Sequence, residues 1–274
     1  MPASSPVEQH YHRDGLYKRI LQQLHVLGID HTTRKDISGV DEFHIRGAAV
    51  SLELAHDAGL SRNHKVIDIG CGIGGPCRMM ADEFGCDVTG IDLTEAFIET
   101  ARRLTQLVHL ERNVHFLQAD ALVLPFDNAC FDMAWTQHVQ MNIQDKRTFY
   151  TEMARVLKPG GSFIYYDVFT KKGEPLKYPV PWANDDAISF LITTAELDTL
   201  LQELGFIKIQ ATDQTAAGIQ CFEEMFTKMA AGETPKIGLP LLIGVSSKEK
   251  FQNLYANFID KKIELQSGIY HKQG

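Results

Sequence analysis

Three acids in this chain lie within or just after short apolar runs. They are Asp68 in Val66-Ile67-Asp68-Ile69, Asp92 after Val88-Thr89-Gly90-Ile91, and Asp120 after Val114-His115-Phe116-Leu117-Gln118-Ala119. A carboxylate at a strand end can accept hydrogen bonds from ligand hydroxyl and amino groups, or cap the helix that follows. Between the first two acids runs Gly70-Cys71-Gly72-Ile73-Gly74-Gly75-Pro76, with glycine at alternate positions. Without side chains there, main chain can lie directly against a ligand at a helix N-terminus. Cys71 sits inside this loop, where a small side chain is all that is required. Asp92 follows the glycines by about 20 residues, the spacing of the ribose-binding acid in dinucleotide-type folds. Any one of these acids alone reads as a helix cap; three at one edge are hard to assign to capping alone.

The elements that must position them follow from periodicity. Strands are expected near 65–69, 86–91, 113–118, 131–136, 162–168 and 205–212. Helical stripes fall at Phe97, Ala101, Leu104 and Val108, and at Phe149, Met153 and Val156. Thr193 and Glu196 form a capping box opening a helix lined by Leu197, Leu200, Leu201 and Leu204. Upstream, Leu16, Ile20, Leu24 and Leu27 predict one helical stripe across 8–27, Gly28 to Val40 loosens the chain, and a second helix is predicted from about Phe43 to Ala58. Alternating strands and helices specify an α/β fold: a mostly parallel, doubly wound sheet with helices on both faces. Right-handed crossovers bring the strand C-termini, and with them the acids, to one edge.

At 274 residues and 44% apolar composition, the chain can bury one large core, so a single domain with insertions is expected. We divide it into a helical cap over 1–60, a Rossmann-like core over 61–212, and a helical insertion with a final strand over 213–274. A net charge of −8 argues against a nucleic-acid partner. Arg102-Arg103, Lys171-Lys172 and Lys261-Lys262 are short, scattered pairs, read as solvated faces. No apolar run reaches the roughly 20 residues of a membrane span; Ile237 to Val245 is interrupted by Pro240 and two glycines. Met1-Pro2-Ala3-Ser4-Ser5-Pro6 lacks the layout of a signal peptide, so a cytoplasmic protein is expected. The five cysteines form no Cys-x-x-Cys pair, which disfavours disulfides and structural zinc, and His10 with His12 makes no metal site without further ligands.

Asp68-x-Gly70-x-Gly72-x-Gly74 resembles the first motif of the class I S-adenosylmethionine-dependent methyltransferases. Asp92, Asp120-Ala121 and Arg155-Val156-Leu157-Lys158-Pro159-Gly160-Gly161 match later motifs in order and spacing. The resemblance covers roughly residues 40 to 212. It is closest to the small-molecule group that includes sarcosine/dimethylglycine, phosphoethanolamine, sterol and sugar methyltransferases, whose pre-motif helix Asp41-Glu42-Phe43-His44-Ile45-Arg46-Gly47 resembles. It implies a seven-stranded sheet with an antiparallel last strand at Ile263 to His271. It also implies S-adenosylmethionine as methyl donor, S-adenosylhomocysteine as product, and no metal. By resemblance, main-chain N–H and C=O groups of Gly70, Cys71, Gly72 and Gly74 take the donor's amino-acid tail beside Asp68. Asp92 takes the ribose, Asp120 and the Ala121 N–H the adenine, Leu93 the purine face, and Gln137 lies near the methyl.

In-line methyl transfer needs proximity in a dry pocket, and a general base only when the nucleophile arrives protonated. His138, at the end of the fourth strand, is the first candidate base; it reads equally as a loop-orienting residue. Asp167 and His44 match acidic and acceptor-side positions of relatives, with loop capping and packing as the other readings. Tyr11 is a looser match on the acceptor side. Tyr178-Pro179-Val180-Pro181-Trp182 offers Trp182 and Tyr178 as an aromatic wall for an apolar or cationic acceptor, or as simple packing. The chain departs from phosphobase, betaine-pathway and sugar relatives by carrying Met141-Asn142 where they carry a histidine. The amino-methylating Asn/Asp-Pro-Pro-aromatic signature is absent at Trp135-Thr136-Gln137. A small-molecule acceptor is expected, an N- or O-nucleophile ahead of an alkene carbon, for which Asp167 or Glu42 could hold developing positive charge. A homodimer is open, as is a non-catalytic donor-binding regulator or partner subunit. A nicotinamide oxidoreductase is disfavoured because the glycine spacing departs from G-x-G-x-x-G.

Overall fold

The computed structural model describes residues 5–171, 174–233, 237–244 and 246–274. Expectations that touch Met1–Ser4, Lys172 and Val245 lie outside these residues. Four helices come first: α1 (Pro6–Tyr11), α2 (Leu16–Val26), α3 (Arg34–Asp41) and α4 (Ala48–Asp57). The alternating part follows as β1 (Lys65–Ile69), α5 (Gly75–Phe84), β2 (Asp87–Asp92), α6 (Glu95–Leu107), β3 (Val114–Gln118) and β4 (Phe131–Gln137). It continues through α7 (Lys146–Val156), β5 (Leu157–Thr170), α8 (Thr194–Glu203) and β6 (Phe206–Asp213). Then come α9 (Thr215–Ala230), α10 (Pro240–Ile243), α11 (Ser247–Ile259) and β7 (Ile263–Lys272).

The seven strands form one sheet in the order β3-β2-β1-β4-β5-β7-β6. β7 runs antiparallel to β5 and β6, while β1 to β5 pair in parallel. The order reverses between β1 and β4, so a crevice opens at the C-terminal ends of β1, β2 and β4. Val66, Ile67, Ile69, Val88 and Ile91 are buried, the pattern of strands covered on both faces. One apolar cluster joins Val66, Val88 and Trp135 to α5, α9 and α11; another joins Ile67, Ile91 and Phe163 to α7 and α8.

The N-terminal region differs from expectation in three ways. The stripe across 8–27 is two helices, because Gly15 adopts φ 63 and opens α2 afresh. The loose stretch contains α3, fastened by a Thr33/Asp36 capping box. The helix predicted from Phe43 starts only at Ala48, since Arg46 (φ 68) and Gly47 (φ 54) break the helical path. Residues 42–47 therefore form a turn, and that turn reaches the crevice.

Contact between this cap and the core is polar as well as apolar. Arg78 on α5, wholly buried, donates to both Asp41 oxygens (2.6 and 3.1 Å), to the Ile73 carbonyl (2.7 Å) and to Thr105 Oγ1 (2.9 Å). Gly75 permits the approach: a Cβ there would lie 1.8 Å from the Asp41 carbonyl oxygen.

Candidate active site

A cavity of about 540 Å³ occupies the crevice, within the usual range of small-molecule sites. Tyr11, His44, Asp68, Gly70, Cys71, Gly72, Asp92, Leu93, Asp120, Ala121, Gln137, His138 and Trp182 line it; Gly74 and Asp167 do not. Gly74 is instead a packing glycine. At φ 84, its Cβ would sit 2.3 Å from the Phe116 ring.

One part of the cavity is made by the strand ends. The Gly70 and Cys71 N–H groups both donate to the Ile91 carbonyl (2.8 and 2.9 Å), and the Gly74 N–H to the Cys71 carbonyl (2.9 Å). The Gly72 N–H donates to Asp92 Oδ2 at 3.0 Å, and the Thr94 N–H to Asp92 Oδ1 at 2.8 Å. These loop N–H groups are thus taken by protein acceptors, three of them by β2 and one within the loop, whereas the resemblance implies that they face a ligand. Gly72 supplies the open ground: at φ 54 an added Cβ would meet nothing within 4 Å. Asp68 is buried and accepts from the Cys77 thiol at 3.1 Å; burial pushes its carboxyl up to about 7. Asp92 is also raised by burial, against the two N–H bonds that favour its charge. Asp120 takes the Leu122 N–H on Oδ1 at 2.9 Å.

The other part is apolar around one acid. Phe43, Met141, Trp182, Phe222, Met225, Leu242, Phe251 and Leu254 form its walls. Into it the 42–47 turn brings Glu42, which is buried and accepts from His44 Nε2 at 2.8 Å and from Ser51 Oγ at 3.3 Å. Gln137 completes this network: Trp135 Nε1 donates to its Oε1 (2.9 Å), and its Nε2 donates to Ser51 Oγ (3.2 Å).

His138 is built as a structural residue. The Ile45 N–H donates to Nε2 at 3.3 Å, so the proton sits on Nδ1, which donates to the Tyr166 carbonyl at 3.1 Å. Burial first, and His44 second, lower its pKa to about 3. Both ring nitrogens are committed to main chain, which leaves no lone pair for an incoming proton. Asp167 lies behind the β4 loop. It takes weak N–H bonds from Val139 (3.5 Å) and Gln140 (3.4 Å), its Oδ1 has no hydrogen-bond partner among the described residues, and burial raises it to about 7.

Asn142, at the departure from relatives, works as a clamp. Tyr11 donates its hydroxyl to Oδ1 (2.8 Å), and Nδ2 donates to the carbonyls of Trp182 (3.0 Å) and Ile188 (2.8 Å). One amide thereby ties α1 to the 178–188 loop above the cavity. Trp182 faces the cavity and donates Nε1 to Ser189 Oγ at 2.9 Å, whereas Tyr178 is not part of the lining. Ser51, Arg78 and the individual wall residues on α9 and α11 were missed in the sequence, from which the 213–262 insertion was expected to cover the site without any residue of it being named. The helical spacing of Phe222 with Met225 and of Phe251 with Leu254 marks apolar faces, but nothing local says that they face a cavity. No cluster able to hold a metal ion occurs among the described residues.

Comparison with known proteins agrees with this architecture. Residues 67–165 match the methyltransferase domain family model. The chain is 33% identical over 136 residues to methyltransferase GfsG of Streptomyces halstedii, covering 50% of this chain and 49% of that one. It is 35% identical over 138 residues to the chloroplastic tocopherol O-methyltransferase of Arabidopsis thaliana (49% and 40%). Across these curated relatives the chain spans about half of their length or less. Among solved structures, phosphoethanolamine N-methyltransferase 2 of Haemonchus contortus superposes with a TM-score of 0.73 at 18% identity, covering 100% of this chain and 62% of that one. Geranyl diphosphate C-methyltransferase of Streptomyces coelicolor gives 0.70 at 16% identity (99% and 100%). A protein named as the [4+2]-cyclase SpnF also gives 0.70, at 20% identity (99% and 97%). The glycine loop and the strand-end acids Asp68, Asp92 and Asp120 all lie within residues 67–165, the stretch that matches the methyltransferase domain family model.

Proposed function

We propose that this chain is an S-adenosylmethionine-dependent methyltransferase that acts by in-line displacement on a predominantly apolar small molecule. The observation that carries the reading is that one cavity joins a strand-end cradle with three acids to apolar walls beside the buried Glu42, while Asp41, also in the lining, is neutralised by Arg78. The residues present fit the donor. Asp92 keeps lone pairs for two hydroxyls beyond its N–H bonds, Asp68 and the carbonyl side of the Gly70–Gly72 turn suit an ammonium, and Gly72 leaves space at the loop. Leu93, Asp120 and Ala121 lie where an adenine would be held. A bound donor supplies a sulfonium methyl, an electrophile that needs no acid to activate it.

The chain's own work is then to desolvate, align and receive a proton. Phe251, Leu254 and Trp182 exclude water from the acceptor, and the Tyr11–Asn142 clamp closes the cavity over it. Glu42, held by His44 and Ser51, replaces His138 as the group placed to accept a proton or to face positive charge as the new bond forms. An O–H acceptor or an alkene or ring carbon suits such a chamber. The named sterol, tocopherol and geranyl diphosphate relatives support an apolar acceptor, which puts a carbon nucleophile beside the N- or O-nucleophile expected from sequence. We further infer a cytoplasmic enzyme, for which the five free cysteines, three of them buried, speak. No helix among the described residues is long and apolar enough to cross a membrane. The working division stays at cap 1–60, core 61–212 and insertion 213–274, and a homodimer stays open.

The test is calorimetric titration with S-adenosylhomocysteine, followed by a panel of phenols, isoprenoids and sterols scored for S-adenosylhomocysteine release and for a product heavier by one methyl group. Binding without turnover on any acceptor would favour a regulatory role. Rearranged product with no methyl gained would point to chemistry of the kind named for the cyclase neighbour. Binding of NADH in place of the nucleoside thioether would sink the proposal.

A further inference from the structure

Lys250 on α11 is 3% exposed, and its ammonium has neither a hydrogen bond nor an ion pair among the described residues. A buried lysine without a counter-charge is costly, and such groups are normally paired. The charge that acts on it is another cation. Arg13 acts on it directly, and both Lys250 and Arg13 act on His10. The Arg13 guanidinium has no carboxylate partner among the described residues either: it donates to the carbonyls of His10 (3.0 Å), His12 (2.7 Å) and Ile243 (3.0 Å). His10 Nε2 donates to the Pro181 carbonyl at 2.9 Å, and the one acid whose charge reaches His10 is Asp185, the weakest of its influences.

Each cation lies one step from the apolar chamber. Lys250 precedes Phe251 and stands one helical turn before Leu254, both lining residues; Pro181, which holds His10, lines the chamber, as do Tyr11 and Val7 on α1. Leu242 of the lining adjoins Ile243, which holds Arg13. In a chain with a net charge of −8, two cations without a carboxylate partner among the described residues, Arg13 and Lys250, at the meeting of α1, the 178–183 loop, α10 and α11 call for a ligand anion; burial lowers the His10 pKa, so its imidazole is the neutral neighbour of the pair.

We propose that Arg13 and Lys250, with the neutral His10 beside them, form an anion subsite at the edge of the acceptor chamber, so that the acceptor is an amphiphile with an apolar body and a carboxylate or phosphate head. This rests on the apolar-acceptor reading above and deepens it. The chamber takes the body, Glu42 stands at the reacting part, and the cations hold the head and set the register of the body along the chamber. Lys250 supplies a point charge and Arg13 its remaining N–H directions.

The test uses the full chain saturated with S-adenosylhomocysteine and three probes of equal chain length: dodecanoate, dodecyl phosphate and dodecanol. Calorimetry of the wild type should show either anion binding about tenfold or more tighter than the alcohol, the worth of one hydrogen bond to a charged group. The tighter anion assigns the head as carboxylate or phosphate. Lys250→Met, close in shape and free of the buried charge, should bring the anions to the alcohol's affinity, and Lys250→Arg should keep the preference. Equal wild-type affinity for all three probes, or a preference that survives Lys250→Met, overturns the subsite. So does Lys250→Met weakening S-adenosylhomocysteine rather than the anions, since the cations would then serve the donor. The S-adenosylhomocysteine titration on the same samples separates failure of the subsite from failure of the methyltransferase reading.

Discussion

The cradle at the strand ends and the apolar chamber beside it share one cavity and are built by opposite means. The cradle comes from residues close in sequence, with main chain bonded to main chain: Gly70 and Cys71 to Ile91, Gly72 to Asp92. The chamber comes from the 42–47 turn, the 178–188 loop, α9, α10 and α11, drawn together by side chains such as Asn142 and Trp182. A site fixed by ladder geometry holds one ligand shape, whereas a site fixed by side-chain contacts can be refitted by substitution without disturbing the sheet. This is a physical reason for donor recognition to be constant and acceptor choice variable on one fold.

The comparison can be broken most severely where the two parts are joined. Arg78→Ala would leave Asp41 buried and unpaired, and should cost about 3–5 kcal/mol in urea unfolding while loosening both parts. Next, Asp92→Ala should weaken S-adenosylhomocysteine binding about a hundredfold, because the Gly72 turn and two ligand hydroxyls lose their acceptor. Glu42→Gln should leave that binding intact and lower turnover about 10²–10⁴-fold. If both variants lose both properties, the division into two parts is wrong.

Phe251→Ala should raise the acceptor KM about tenfold or more through lost apolar contact, with donor affinity unchanged in the same titration. The smallest effect concerns pH. Burial raises Asp167 to about 7 in the folded chain, so the folded state holds a proton that the unfolded state releases. Stability from this group therefore falls as pH rises from about 4 to about 7. Asp167→Asn removes the penalty, and its Tm advantage over the wild type should widen from pH 5 to pH 8, reaching a few degrees. A constant gap across that range would show that the carboxyl is ionised throughout.

The strands were legible because Val66, Val88 and Val114 open short apolar runs that only a covered sheet can accommodate, and the cradle because glycines and acids recur at strand ends. The N-terminal cap was less so. Gly15, Arg46 and Gly47 turn the chain at left-handed φ, and a stripe of leucines does not reveal such a turn. Of the two readings left open for His138, its hydrogen bonds agree with the loop-orienting one. Its place after β4 fits a base, yet Ile45, 93 residues earlier in the chain, fills its Nε2 lone pair. The role of the loop N–H groups was likewise hidden, since Ile91 captures two of them from a neighbouring strand.

The amino-acid order alone was enough to set the strand sequence, the edge at which the acids gather and the glycine turn. Those features depend on periodicity and on residues within about one strand-helix unit of one another. Tertiary structure decided which titratable groups remain free to react. Whether a lone pair is open or occupied depends on distant main chain, as the Ile45 N–H shows at His138 Nε2. Such encounters depend on how the cap settles on the sheet, which no local pattern encodes.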